Sequence, residues 1–169
     1  VGASEDGATE DTSGASADIF DAPETETSSD DAPGSSDVGG PPPQFLGGDR
    51  PAPYYLPESY DPDSPIPVLV VLHGFTGNGA GTASWWQLYT STAAAGIMLI
   101  VPEGTKNLDE TPFWNATEFC CDFYQSKVDD VGYITGLIEE AMSHFSVDPT
   151  RVYLMGHSNG GFMSHRIAC

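Results

Sequence analysis

Two hydrophobic spacings organise the chain from Pro53 onward. Ile66–Leu72 (Ile-Pro-Val-Leu-Val-Val-Leu) is a continuous, β-branched apolar run. Such a run predicts a strand buried on both faces of a parallel sheet. Ile97–Val101 repeats the pattern and is closed by Pro102, and Arg151–Met155 supplies a third strand. Elsewhere the period lengthens. Val128, Val131, Ile134, Leu137, Ile138, Ala141, Met142 and Phe145 recur every three or four residues, which predicts a helix over 128–145. Ser126, Asp129 and Asp130 stand at its start, where an acceptor side chain caps orphan amides and negative charge is favoured. His144 near its end is a favoured cation position rather than a catalytic one. Val147-Asp148-Pro149 breaks this helix. Ser84–Ala95 predicts a helix stopped by Gly96, and Gly160–Ala168 opens another. Residues 102–127 are read as a long irregular connection, and such loops are usually functional. Alternating strands and helices predict an α/β class, a mostly parallel sheet with crossover helices. Tyr54–Leu56 is placed as an antiparallel edge.

The first 44 residues behave differently. Val1, Ile19, Phe20 and Val38 are their only large apolar side chains. Too little apolar surface is available to offset the ordering entropy, so 1–44 is expected to be a disordered acidic Ser/Thr/Gly/Pro-rich linker. Residues 45–169 then form the folded unit. The formal charge of −20 nearly excludes nucleic acid and disfavours an anionic membrane surface, because neither can be neutralised without a basic patch. No apolar run approaches the roughly 18–20 residues of a spanning helix. The chain opens on Val1 rather than Met, so any export signal would lie upstream.

The chemistry concentrates in Gly156-His157-Ser158-Asn159-Gly160-Gly161. Gly156-x-Ser158-x-Gly160, after a predicted strand and before a predicted helix, is the nucleophile-elbow pattern. The turn from strand to helix exposes the Ser158 hydroxyl, and small residues at 156 and 160 let strand and helix approach. An oxyanion hole needs two N–H donors. Asn159 at the helix start offers one, and the loop after the first buried strand, His73-Gly74-Phe75, offers the other through Phe75. Gly74 lets the chain pass close, and His73 is read as a brace for that loop.

Several blocks follow in order: Leu72-His73-Gly74-Phe75-Thr76-Gly77, Cys120-Cys121, Val128-Asp129-Asp130-Val131-Gly132-Tyr133-Ile134, Val147-Asp148-Pro149-x-Arg151-Val152-Tyr153 and Gly156-x-Ser158-Asn159-Gly160-Gly161. Over roughly 47–169 the chain resembles polyhydroxybutyrate depolymerase-type esterases, a family that includes feruloyl and acetylxylan esterases. The resemblance implies an α/β-hydrolase fold and an exported or cell-surface enzyme. It further implies Ser158-dependent hydrolysis of carboxylic esters in polyesters or plant cell-wall polymers; no cofactor is expected, and no metal, because adjacent cysteines lack the usual C-x₂-C spacing. Serine peptidases of the prolyl oligopeptidase type share the elbow, but the Cys pair and the Asp-Asp-Val run disfavour them. A non-catalytic surface module is the remaining alternative.

In this fold the triad runs Ser, then Asp or Glu, then His. No acid follows Ser158, and the one later histidine, His165, lies about 10 Å along the same helix. His157 is expected to diverge from the nucleophile and to line the cleft rather than act as base. The stretch is therefore expected to be the front part of a hydrolase domain, inactive alone, with an exposed sheet edge that favours aggregation. Trp114 in the long loop is either a cleft wall or packing. Trp85 and Trp86 cannot both face inward, so one is expected near the cleft mouth. For the thiols, a disulfide from Cys120 or Cys121 to Cys169 is favoured over buried reduced cysteines. Asn115-Ala116-Thr117 is a glycosylation sequon.

Overall fold

A computed structural model describes residues 41–169. The linker expected over 1–44 falls, up to residue 40, outside the described residues. Residues 41–44 carry no regular structure, and the Tyr54 hydroxyl donates to the Pro43 carbonyl at 2.6 Å.

Ten elements follow: β1 (Tyr54–Tyr55), β2 (Ile66–Leu72), α1 (Gly79–Trp85), α2 (Leu88–Ala95), β3 (Met98–Ile100), β4 (Thr105–Lys106), β5 (Pro112–Phe113), α3 (Asp130–His144), β6 (Val147–Gly156) and α4 (Asn159–Ala168). The main sheet has the order β1-β3-β2-β6. β2 runs parallel to both neighbours, and β1 joins β3 antiparallel as expected. Period-2 geometry splits the apolar run of β2 between two cores. Val68, Val70 and Leu72 pack with Ile134, Leu137 and Ala141 of α3 and Met163 of α4. Val71, with Leu69 beside it, meets Ala83, Leu88 and Trp86 on the other face. Helices thus cover both faces of a mostly parallel sheet, the α/β arrangement that the sequence predicted. No helix of the described residues is long and apolar enough to cross a membrane.

Three expectations are corrected. The helix placed over 84–95 is two helices, because Gln87 takes a left-handed conformation (φ 55°) between α1 and α2. The connection over 102–127 is not wholly irregular, since β4 and β5 pair within it. The third strand starts earlier than Arg151. Val147 already pairs with Ile66, the register then shifts, and pairing resumes at Val68↔Val152. Pro67 sits between the two residues that flank that shift. The extra residues of β6 fold on themselves: Asp148 accepts from the Thr150 hydroxyl and from Arg151 Nε, both at 2.6 Å, and these bonds draw its carboxyl down to about 2.

Candidate active site

β2 and β6 are adjacent and in register to their last residues, Leu72↔Gly156. The loops that leave them are therefore neighbours, and His157 N–H donates to the Leu72 carbonyl at 3.1 Å. This register brings Gly74 against Ser158: a Cβ on Gly74 would stand 3.5 Å from the Ser158 Cβ and 2.8 Å from His157 Nδ1. Ser158 lies at φ 49°, ψ −114°, between β6 and α4. A non-glycine residue tolerates that backbone only where its surroundings impose it. Here the close approach of β6, α4 and the end of β2 surrounds it, an approach that Gly156 and Gly160 permit. A Cβ on Gly156 would collide with the Gly160 carbonyl, and one on Gly160 would collide with the Leu72 and His73 carbonyls. The Ser158 side chain is exposed and makes no capping bond to α4.

The amides nearby divide by whether they already have an acceptor. Thr76 N–H donates to the Pro112 carbonyl (3.0 Å), Gly77 N–H to Gly74 (2.9 Å) and Gly160 N–H to His157 (2.9 Å). Among the described residues, the Phe75 and Asn159 N–H groups have no protein acceptor, and neither do those of Gly74, Ser158 and Gly161. The Asn159 N–H stands at the first position of α4, where the positive end of the helix dipole lies.

His73 is fully buried. Its Nε2 accepts from the Gly104 N–H at 2.9 Å, so Nδ1 carries the proton and donates to the Gly74 carbonyl at 2.7 Å. Burial pushes its pKa below the ordinary value. With both nitrogens engaged and the ring neutral, His73 braces the loop and has no free lone pair for proton abstraction. The exposed His157 ring stands edge-on to Trp85 (5.4 Å) and Trp86 (6.3 Å), at the rim beside Ser158. Trp85 is 66% exposed while Trp86 packs on the inner core, as the single-face argument required. On the other side, the exposed Phe123 packs edge-on against Phe75 at 5.5 Å. His144 ends α3, and His165 lies on α4 beside the Cys169 thiol (3.6 Å).

Trp114 is not a cleft wall. It is completely buried beneath the site, with its indole N–H on the His73 carbonyl at 2.9 Å. The link from Cys120 or Cys121 to Cys169 is absent as well: the first two cysteines pair with each other, and Cys169 is a free, exposed thiol at the end of α4. The sequon asparagine, Asn115, donates through Nδ2 to the Val128 carbonyl at 2.9 Å, a bond that a glycan on that nitrogen would disrupt.

Sequence reasoning missed two buried polar anchors. Asp129 caps α3 through the Gly132 N–H (2.8 Å), as read, but Asp130 does something else. It is buried and accepts from Arg50 Nη1 (2.8 Å) and the Asn115 N–H (2.7 Å). Arg50 lies over the Tyr133 ring at 3.7 Å. Asn159 is also buried, and its carboxamide grips the backbone of Trp114. Neither contact leaves a periodic signal. An open pocket of about 480 Å³ beyond His73, lined by Arg50, Glu103, Lys106 and Tyr133, does not include Ser158.

The Esterase family model matches residues 44–168. Feruloyl esterase B of Piromyces equi is 31% identical over 118 residues, covering 68% of this chain and 20% of that protein. Feruloyl esterase B of Neurospora crassa is 29% identical over 101 residues, covering 60% of this chain and 33% of that protein. In fold, the chain matches the acetyl xylan esterase from Aspergillus awamori with a TM-score of 0.54 at 18% identity, covering 70% of this chain and 41% of that one. The chain thus spans well under two thirds of the length of these relatives. A parallel sheet wrapped by helices, a strand-to-helix bend and a family match over most of the sequence lead to one assignment: this chain belongs to the Esterase family and has the α/β-hydrolase fold.

Proposed function

We propose that Ser158 is the nucleophile of a carboxylic-ester hydrolase, with the Phe75 and Asn159 N–H groups as its oxyanion hole. One observation carries the reading. A serine held at positive φ, exposed and uncapped, stands beside a loop in which the Phe75 amide has been left without an acceptor. Attack of Oγ on the ester carbonyl puts negative charge on its oxygen, which the two amides would receive. Collapse expels the alcohol, and water then releases the acid from the acyl-enzyme. None of the histidines among the described residues fits the base position. His73 is sealed, His157 packs against two indoles, and His144 and His165 lie on helix ends. The reading therefore takes its histidine and orienting carboxylate from residues outside these 169, and the 169 alone are expected to turn over esters negligibly.

The domain assignment goes with this reading: a linker over 1–44, then the N-terminal part of an esterase domain over 45–169, exported or held at the cell surface. The substrate class is a carboxylic ester of a plant cell-wall polymer or a polyester. The feruloyl esterase and acetyl xylan esterase relatives support the former. The test uses the full-length protein. Aryl-ester hydrolysis and fluorophosphonate labelling should both occur and both vanish in Ser158→Ala, with dipeptide amides turned over far more slowly. Labelling that survives the substitution, or faster amide cleavage, overturns the reading.

A further inference from the structure

Asn159 and Trp114 are fully buried, and their polar groups form one connected path. The Asn159 carboxamide addresses a single residue in both directions. Its Oδ1 accepts from the Trp114 N–H at 2.7 Å, and its Nδ2 donates to the Trp114 carbonyl at 2.9 Å. Trp114 reaches onward, with Nε1 on the His73 carbonyl at 2.9 Å and its ring 5.1 Å from the imidazole. His73 Nδ1–H then meets the Gly74 carbonyl at 2.7 Å, which also accepts from the Gly77 N–H at 2.9 Å. The Gly74 carbonyl and the Phe75 N–H belong to one trans peptide group, so they point in opposite directions. Holding the carbonyl inward aims the Phe75 N–H outward. The path begins on the residue whose backbone carries one proposed donor and ends on the peptide that carries the other.

We propose that the Asn159 side chain, Trp114 and His73 form a brace that fixes the spacing and direction of the two oxyanion donors. The Asn159 carboxamide and Trp114 are then positioning residues for ester hydrolysis; this rests on the reading of Ser158 given above. Each donor must lie about 2.7–3.1 Å from the oxyanion, and a displacement near 1 Å can cost about 100-fold in rate. A buried asparagine that served packing alone needs partners, but not partners that continue to the opposite side of the site. In this arrangement Trp114 cannot shift without moving both donors.

Two substitutions in the full-length protein test the brace. Trp114→Phe removes the indole N–H and keeps an aromatic ring, while Asn159→Ala removes both carboxamide bonds and keeps the backbone N–H. The readouts are kcat and KM for a simple acetate ester, normalised to Ser158 sites titrated with a fluorophosphonate. The rate ratio of that ester to its thionoester is read alongside, because sulfur is a poorer acceptor for the hole. Per titrated site, kcat should fall about 10-fold in Trp114→Phe and about 100-fold in Asn159→Ala, the order expected for a partly misaimed donor. KM should change little, and the ester-to-thionoester ratio should fall in parallel. An unchanged kcat per site and an unchanged ratio, with only a lower melting temperature, would overturn the brace and leave the Ser158 reading intact. Absence of Ser158-dependent hydrolysis in the unsubstituted protein would overturn both. Should Asn159→Ala not fold, Trp114→Phe alone decides.

Discussion

At the scale of single residues, two glycines near Ser158 demand glycine for different reasons, and substitution should separate them. A Cβ on Gly160 would stand 2.5 Å from the His73 carbonyl oxygen and closer still to that of Leu72, both backbone atoms at the end of β2. Neither can retreat without disturbing the β2–β6 ladder. Gly160→Ala is therefore expected to cost about 3 kcal/mol or more, read by denaturant unfolding. A Cβ on Gly74 would instead meet the ring nitrogen of His157 at 2.8 Å, a side chain that can turn into solvent. Gly74→Ala should cost no more than about 1 kcal/mol, and its effect should appear in turnover. His73 adds a pH signature. Burial is the main cause that holds its pKa below 6.5; the Gly74 carbonyl and the Glu103 and Asp130 carboxylates oppose the shift, and Arg50 adds to it. The unfolded chain then binds more protons at this site than the folded one, so the stabilisation is complete above the ordinary histidine value and is lost as pH falls below it. Unfolding free energy should decline from about pH 7 to about pH 5.5, and His73→Gln should flatten that decline. An equal slope in both proteins would assign the titration elsewhere.

The elements show which parts of this architecture could be read from the sequence. β2 and α3 were legible because each buries a long stripe with one period: a continuous run for a two-sided strand, and Ile134, Leu137 and Ala141 for a helix face. The tight turn from β6 into α4 was legible because steric exclusion writes itself as glycine at 156 and 160. The break at Gln87 and the hairpin of β4 and β5 were not, because both rest on turns of a few residues, such as Asn107 Oδ1 accepting from the Asp109 and Thr111 N–H groups, rather than on a hydrophobic period. Trp114 looked equally suited to a wall or a core, since sequence does not reveal which side of a loop faces water. The two adjacent aspartates at the α3 start illustrate the same limit. Asp129→Ala should cost about 1 kcal/mol, an ordinary lost cap. Asp130→Asn should cost more, about 1.5–3 kcal/mol, because Asp130 ties Arg50 and the Asn115 N–H to the helix through charge-assisted bonds. Chemical unfolding of the two variants side by side tests the ranking, and equal losses would mean that Asp130 merely caps.

For the molecule as a whole, the sheet is unevenly covered. Tyr153 and Met155 of β6 pair with Leu69 and Val71 of β2, so they share the face packed by α1 and α2. Those helices stop short of them: Tyr153 is 50% exposed and Met155 37% exposed. Among the described residues β6 also pairs along one side only. An edge strand carrying exposed apolar side chains is a template for edge-to-edge association. Opposing this is a net charge of −20, of which residues 1–40 hold 11 Asp/Glu and no Lys or Arg. Repulsion between like-charged chains keeps them apart at low ionic strength and fades once the Debye length drops to about 8 Å near 0.15 M salt. The 169-residue chain should therefore self-associate increasingly as salt is added. Removing residues 1–40 should lower the salt concentration at which association begins, and Tyr153→Lys, which puts a charge on the uncovered strand, should raise it. Sedimentation velocity across a salt series measures all three. If association were insensitive to Tyr153→Lys while the truncation still shifted it, the contact would lie on another surface, and β6 would not be the edge that the charge keeps apart.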